Sequence, residues 1–203
     1  MDNFCYLGDT ISKQGGAGAA VTSRVRSGWK KFKELAPFLT AKNISLTVKG
    51  HVYDSCVRAT MIYGSETWPV RMEDEMKIER NDRRMIRWIC GVKLADKVKS
   101  DELRRRLRIE DIKSVLRRRR LRWFGHVQRK QDDEWVKKCM EFKVEGSRSR
   151  GRPKKSWMEV IGNDMKKLGL KKEDALQRSI WRREINKGRP FCQNRLTQVV
   201  LDK

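Results

Sequence analysis

Ten arginines and two lysines fall between Leu103 and Lys130, opposed only by Glu110 and Asp111, a net +10 over 28 residues. Guanidinium groups at that density suit phosphate, through paired hydrogen bonds and through release of condensed counterions. Ile112, Val115, Leu116, Trp123 and Val127 thread the same stretch at helical spacing, so the charge rides on a helix with an apolar stripe. Arg117, Arg118 and Arg122 point away from that stripe; Arg119 falls inside it and requires an anionic partner. Leu121 and Phe124 lie off the stripe, which implies cover on a second side. The residues expected to contact nucleic acid are Arg104, Arg105, Arg106, Arg117, Arg118, Arg120, Arg122 and Arg129, joined by Arg150, Arg152, Lys154 and Lys155 of a second basic run.

That second run, Ser149-Arg150-Gly151-Arg152-Pro153-Lys154-Lys155, has the Arg-Gly-Arg-Pro core of an AT-hook, whose extended arginines enter a narrow A·T minor groove. A linker whose proline opens a helix explains it as well, and Trp157, Val160 and Ile161 just downstream favour the linker. Other chemistries find little support. The five cysteines stand far apart with no CxxC, and the histidines are His51 and His126, so zinc spacing is missing. Asp132-Asp133-Glu134 reads as a solvated turn rather than a magnesium site. No Gly-x-x-x-x-Gly-Lys loop occurs. His126 suits a backbone or phosphate contact better than a base, and no catalytic residue is assigned.

The whole chain of 203 residues carries +23, of which residues 1–70 hold only +4. Internal pairing is therefore not expected to absorb the excess, and a polyanion is the expected partner. Seven tryptophans and six phenylalanines argue for a packed core rather than disorder. No apolar run approaches the ~20 residues of a membrane span, and Met1-Asp2-Asn3-Phe4 lacks the pattern of a secretory leader. Scattered thiols fit a reducing compartment. The expected setting is nuclear or cytoplasmic, without a membrane partner.

The elements that must position these groups are mainly α, with a short β element at the N-terminus. Phe4 to Ile11 reads as a strand or hairpin, followed by the glycine break at residues 15–18. Val21, Val25, Trp29, Phe32 and Ala36 mark one helix face, which Pro37 ends near its last turn. Leu46 to Tyr63 forms a helix with two apolar faces: Leu46, Tyr53 and Val57 on one, Val48, Val52, Cys56 and Ala59 on the other. Further helices are expected over 73–90, with Ile78, Met85, Ile86 and Ile89 inward, from an N-cap at Ser100, over 110–128, 135–142, from Pro153 to Leu168 with Gly169 as its stop, and over 173–185. A frayed tail is expected beyond residue 188.

Several of these segments resemble one family. Phe4-Cys5-Tyr6-Leu7-Gly8 with Ile11-Ser12 looks like the strand turn after the palm core of reverse transcriptases, the primer grip. Tyr63-Gly64-Ser65-Glu66-Thr67-Trp68 resembles the YGSETW marker in the thumb of non-LTR retrotransposon endonuclease–reverse transcriptases. Arg120-Leu121-Arg122-Trp123-Phe124-Gly125-His126-Val127 with Arg129 resembles their RLRWxGHVxR segment. Gly151-Arg152-Pro153 with Trp157, then Arg178, Trp181 and Arg182, resembles their GRPxxxW and RxxWR ends. The likeness runs over almost all of residues 4–185.

It implies a helical thumb-like bundle followed by a second small helical region. The implied organisation is a palm edge at 1–18, thumb-like helices at 19–70, a basic helical region at 71–145, a basic linker at 146–155 and C-terminal helices at 156–203. It places Tyr6, Leu7 and Gly8 near a primer terminus and the arginines on template RNA, target DNA or an RNA–DNA hybrid. The family's Tyr-x-Asp-Asp strand is not found, so no catalytic residue carries over. The resemblance thus implies a truncated, non-catalytic nucleic-acid binder. No cofactor is expected in this chain: Mg²⁺ would belong to the missing palm, itself a possible partner. An AT-hook-like DNA-binding protein and a pseudogene remnant without a selected role remain alternative readings.

Overall fold

The 3.6-residue spacing along residues 21–36 becomes one long helix. In the computed structural model, which describes residues 3–6, 9–12, 15–142 and 155–187, helix α1 spans Gly18–Thr40 and buries Val21, Val25 and Phe32 along one face. Pro37 sits inside its last turn, where few downstream bonds remain to be lost. Before it, strands β1 (Asn3–Tyr6) and β2 (Asp9–Ser12) form an antiparallel hairpin in which Phe4 faces Ile11 and Cys5 faces Thr10. The described chain is otherwise helical, a mainly α fold with a short β element.

Helix α2 (Leu46–Val52) is capped by Ser45, whose hydroxyl accepts from the Val48 amide. It runs into a π turn at Tyr53–Arg58 and then α3 (Ala59–Met61). Only one of the two anticipated apolar faces is buried. Tyr53, Val57 and Met61 point inward, whereas Val48 and Cys56 are exposed. The extra residue of the π turn breaks the 3.6-residue register on which the second face depended. The chain then reverses at Gly64, in the left-handed region at φ +76.

Helix α4 (Met72–Ile89) buries Ile78, Met85, Ile86 and Ile89, the residues its spacing marked. A 3₁₀ turn at Leu94–Asp96 leads to α5 (Ser100–Leu107). Its N-cap is Lys99, not Ser100, and no side chain caps it. The acids at its start instead pair with arginines one turn on. Gly50 lets α5 lie directly on α2, because a Cβ there would overlap the Leu107 carbonyl.

Two adjoining apolar cores result. One gathers Val21, Val25, Met61, Ile62, Trp68 and Ile78 with Ile112 and Leu116. The other gathers Phe32, Leu39, Tyr53, Val57, Met85, Ile86, Leu103 and Leu107. Trp29 packs against both, and its indole N–H donates to Asn81 Oδ1 at 2.8 Å. Burial at this scale is worth about 1.5–3 kcal/mol per large side chain and supplies the driving force.

One charged pair is enclosed with them. Arg58 and Asp82 are both 1% exposed, and the guanidinium donates to the carboxylate at 2.7 and 2.8 Å. Arg58 also donates to the Glu110 carbonyl at 2.7 Å, and the Tyr53 hydroxyl donates to Asp82 at 2.8 Å. Burial alone would lower the Arg58 pKa; the charge and hydrogen bonds of Asp82 outweigh it and raise it. Burial, then the neighbouring Asp82 charge, keeps the Tyr53 hydroxyl protonated well above its ordinary range. Such a pair adds little net stability against an apolar substitute, but any packing that separates its members is penalised heavily.

Helix α6 (Ile112–Gln128) is the spine of the molecule. Asp111 caps it, accepting from the Ser114 amide. Its first half closes the N-terminal core through Ile112 and Leu116, and its second half builds a third core. There Leu121 and Phe124 meet Ile161 of α8 (Trp157–Leu168), Ala175 of a 3₁₀ turn (Glu173–Leu176), and Trp181 and Ile185 of α9 (Arg178–Ile185). The second-side cover implied by Leu121 and Phe124 is thus α8 and α9. Helix α7 (Trp135–Glu141) follows α6 with Trp135 exposed.

Helix α8 begins at Trp157, not at Pro153. Ser156 caps it in a reciprocal box: its hydroxyl accepts from the Glu159 amide, and the Glu159 carboxylate accepts from the Ser156 amide. Gly169 closes it at φ +66, with the Leu170 amide donating to the Met165 carbonyl at 3.0 Å. The whole Arg-Gly-Arg-Pro core, Pro153 included, and the tail from residue 188 lie outside the described residues.

Candidate nucleic-acid interface

Of the arginines singled out in the sequence, those toward the N-terminal half are held by carboxylates. Arg104 pairs with Asp101 and with Asp111, while Arg105 and Arg106 share Glu102. Arg118 donates to Glu110 at 2.5 Å, and Arg117 lies 3.7 Å from Asp164. Each is a short-range pairing within α5 and α6 or onto α8, so internal pairing absorbs more of this stretch than its net charge suggested.

Arg120 departs furthest from expectation. It is 1% exposed, donates to Asp164 at 2.7 Å and reaches Glu75 at 3.5 Å. Enclosed between α4, α6 and α8, it offers no surface to a phosphate. The buried arginine of the helix is therefore Arg120, while Arg119 is part-exposed, donating to the Ile62 carbonyl at 3.2 Å and lying 3.5 Å from Glu66. The reason is that α6 changes partners midway. Its apolar stripe rotates from the N-terminal core to the third core, and Arg120 sits where the two overlap.

Beyond that point the charge opens onto a cleft of about 1450 Å³. One wall is the reversal after α3, with Tyr63, Gly64, Glu66 and Thr67. The floor is α6 from Arg119 onward, with Arg122, Trp123 and His126, continued by Arg129 and Lys130 just past its end. The other wall is α9, with Arg178 and Arg182. Six cationic side chains thus line the cleft with one carboxylate, Glu66, which lies against Arg119; Lys130 also pairs with Glu134 at 3.1 Å from outside the lining. Arg122 is exposed at the floor and Arg129 half-buried. Arg178 and Arg182 make no ion pair among the described residues. The Arg129 pKa is pushed down, first by partial burial and then by the neighbouring Arg178 charge.

The cleft is built by indole contacts. Trp157 donates from Nε1 to the Glu66 carbonyl at 2.8 Å and so ties the turn to α8. Trp181 donates to the Leu121 carbonyl at 2.9 Å and ties α9 to α6. Gly125 permits this, since a Cβ there would overlap the Trp181 ring. Arg129 donates to the Ala175 carbonyl at 2.7 Å, which sets its position beside α9. Trp123, expected in the apolar stripe, instead lines the cleft, with its ring stacked on the exposed His126 at 5.5 Å and 29°.

Of the predicted contacts, Arg122 and Arg129 come together here, and the cleft adds Arg119, Lys130, Arg178 and Arg182. The sequence reading named the last two only within the Arg-x-x-Trp-Arg likeness and not as nucleic-acid contacts. The Arg-x-x-Trp-Arg pattern, two cations flanking an aromatic ring, is the usable signal. Lys155 is exposed just before α8, whereas Arg150, Arg152 and Lys154 lie outside the described residues. Tyr6 ends β1, and Leu7 and Gly8 lie outside the described residues; no described residue of the hairpin lines the cleft. Among the described residues no group of three or more His, Cys, Asp or Glu could hold a metal ion, and no helix is long and apolar enough to cross a membrane.

Over 173 residues the chain is 24% identical to a transposon-derived protein of Caenorhabditis elegans, a match covering 81% of this chain. The chain spans 61% of that relative's length. No family model and no solved structure matches it.

Proposed function

We propose that this chain is a nucleic-acid-binding piece of a retrotransposon-derived RNA-directed DNA polymerase, with no polymerase chemistry of its own, and that it grips template–primer or target DNA through the cleft. The observation that carries this reading is the assembly of six cations around one carboxylate, with Arg129 and Arg178 close enough to repel. On α5 and along α6 up to Arg120 each candidate arginine lies against a carboxylate; in the cleft Arg178 and Arg182 make no ion pair among the described residues, and a polyanion relieves the repulsion. Two further facts support the reading. The similar nematode protein is transposon-derived. Three of the four segments that resemble the retrotransposon thumb and C-terminal region, those at 63–68, 120–129 and 178–182, line the same cleft although they are separated in sequence.

The test is a salt titration of binding to DNA duplex, RNA and RNA–DNA hybrid. About six phosphate contacts give a slope of log affinity against log salt near −5. The double variant Arg178→Glu, Arg182→Glu is expected to flatten that slope by about 2. No binding to any of the three at low salt overturns the proposal.

A further inference from the structure

Resting on that reading, we infer that the cleft accepts an unpaired strand, one of whose bases extends the Trp123–His126 stack. Phosphate tracking needs cations alone, and a base pair inside a duplex hides both ring faces from a protein side chain. A cation-lined cleft furnished with accessible aromatic rings is the arrangement that reads single strands, since every base has a π-face to offer.

The rings are placed for this. Trp123 and His126 are stacked on the floor at 29°, and the imidazole is exposed. Tyr63, 56% exposed, lines the same cleft from the reversal, with the Arg24 guanidinium 4.5 Å from its ring centre. The indole N–H group distinguishes Trp123 from the three tryptophans that tie elements together. Trp29, Trp157 and Trp181 each donate to a protein oxygen. Trp123 donates to none among the described residues, and its N–H is available to a base edge or phosphate. Arg122 precedes Trp123, while Arg178 and Arg182 stand on the opposite wall. A strand lying along the cleft therefore meets cations on both sides of its stacked base.

The test compares labelled oligo-dT, oligo-U and a mixed-sequence DNA duplex of equal phosphate number by fluorescence anisotropy at fixed salt, with the full chain. Both single strands are expected to bind at least about tenfold more tightly than the duplex. Trp123→Ala is expected to remove about tenfold of single-strand affinity and to leave duplex affinity within twofold, while Trp123→Phe restores most of the loss. His126→Ala, at an exposed position, carries the same comparison should circular dichroism show Trp123→Ala unfolded. The dT and U arms tell whether the sugar is discriminated. Equal affinity for single strand and duplex, with a steep salt slope, overturns this inference and leaves the broader proposal standing. Loss of duplex and single-strand binding in equal measure on His126→Ala also overturns it. Absence of all binding overturns both.

Discussion

Arginines on one helix face two fates. In the first half of α6 and in α5 each candidate arginine lies against a carboxylate, up to Arg120 with Asp164 and Glu75. In the second half, Arg122 and Arg129 look across a cleft at Arg178 and Arg182. The first group holds the fold together; the second gathers positive charge around one cleft. Net charge of a segment therefore says little about where a polyanion binds. What matters is which cations the folding pattern leaves facing one another.

That contrast can be broken from the structural side first. Asp82→Ala strands Arg58 in a site where both partners are 1% exposed, and is expected to cost about 3–5 kcal/mol in urea unfolding. Asp164→Ala is expected to cost less, because Glu75 still lies near Arg120. A loss below 1 kcal/mol for Asp82→Ala would mean that the pair is not enclosed as described. Gly125→Ala drives a methyl into the Trp181 ring and is expected to cost about 1–3 kcal/mol, read as a lower thermal midpoint.

Smaller effects sharpen it. Glu79 accepts from Lys113 at 2.7 Å and Arg83 at 2.8 Å, tying α4 to α6. The hydrogen bond from Lys113, opposed by burial and helped by both positive charges, lowers its pKa. A depressed carboxylate stabilises fully above its unfolded pKa and loses that contribution as pH falls through the folded value. Stability of wild type relative to Glu79→Gln is thus expected to fall below about pH 4.3, by no more than about 1 kcal/mol. Last, Arg182→Ala is expected to leave stability within about 0.5 kcal/mol while reducing the salt slope of binding by about 1. A variant that unfolds the protein without touching that slope would place Arg182 with the structural arginines.

Much of the fold was legible in spacing. Val21 to Phe32, Ile78 to Ile89 and the Gly169 stop all report burial or φ constraints that act within a few residues. The π turn was not, because a single surplus residue leaves composition unchanged and only shifts which positions face inward. The confusion of Arg119 with Arg120 has the same origin: one residue is a 100° rotation, and a single stripe was read through a helix that serves two cores. The cleft was legible only in part. Arg122 and Arg129 lie in the obvious basic run, but the opposing wall comes from α9, some fifty residues on, and no local pattern fixes that juxtaposition. Docking through Trp181 onto Gly125 does.

The six-residue bulge at Tyr53–Arg58 makes this stretch a length gauge. Deleting one residue would let it rewind to ordinary α geometry, swinging Arg58 away from Asp82 while Tyr53 stayed behind. Side chains on its outer surface, such as Ser55 and Cys56, are open to exchange. The number of residues between Tyr53 and Arg58 is not.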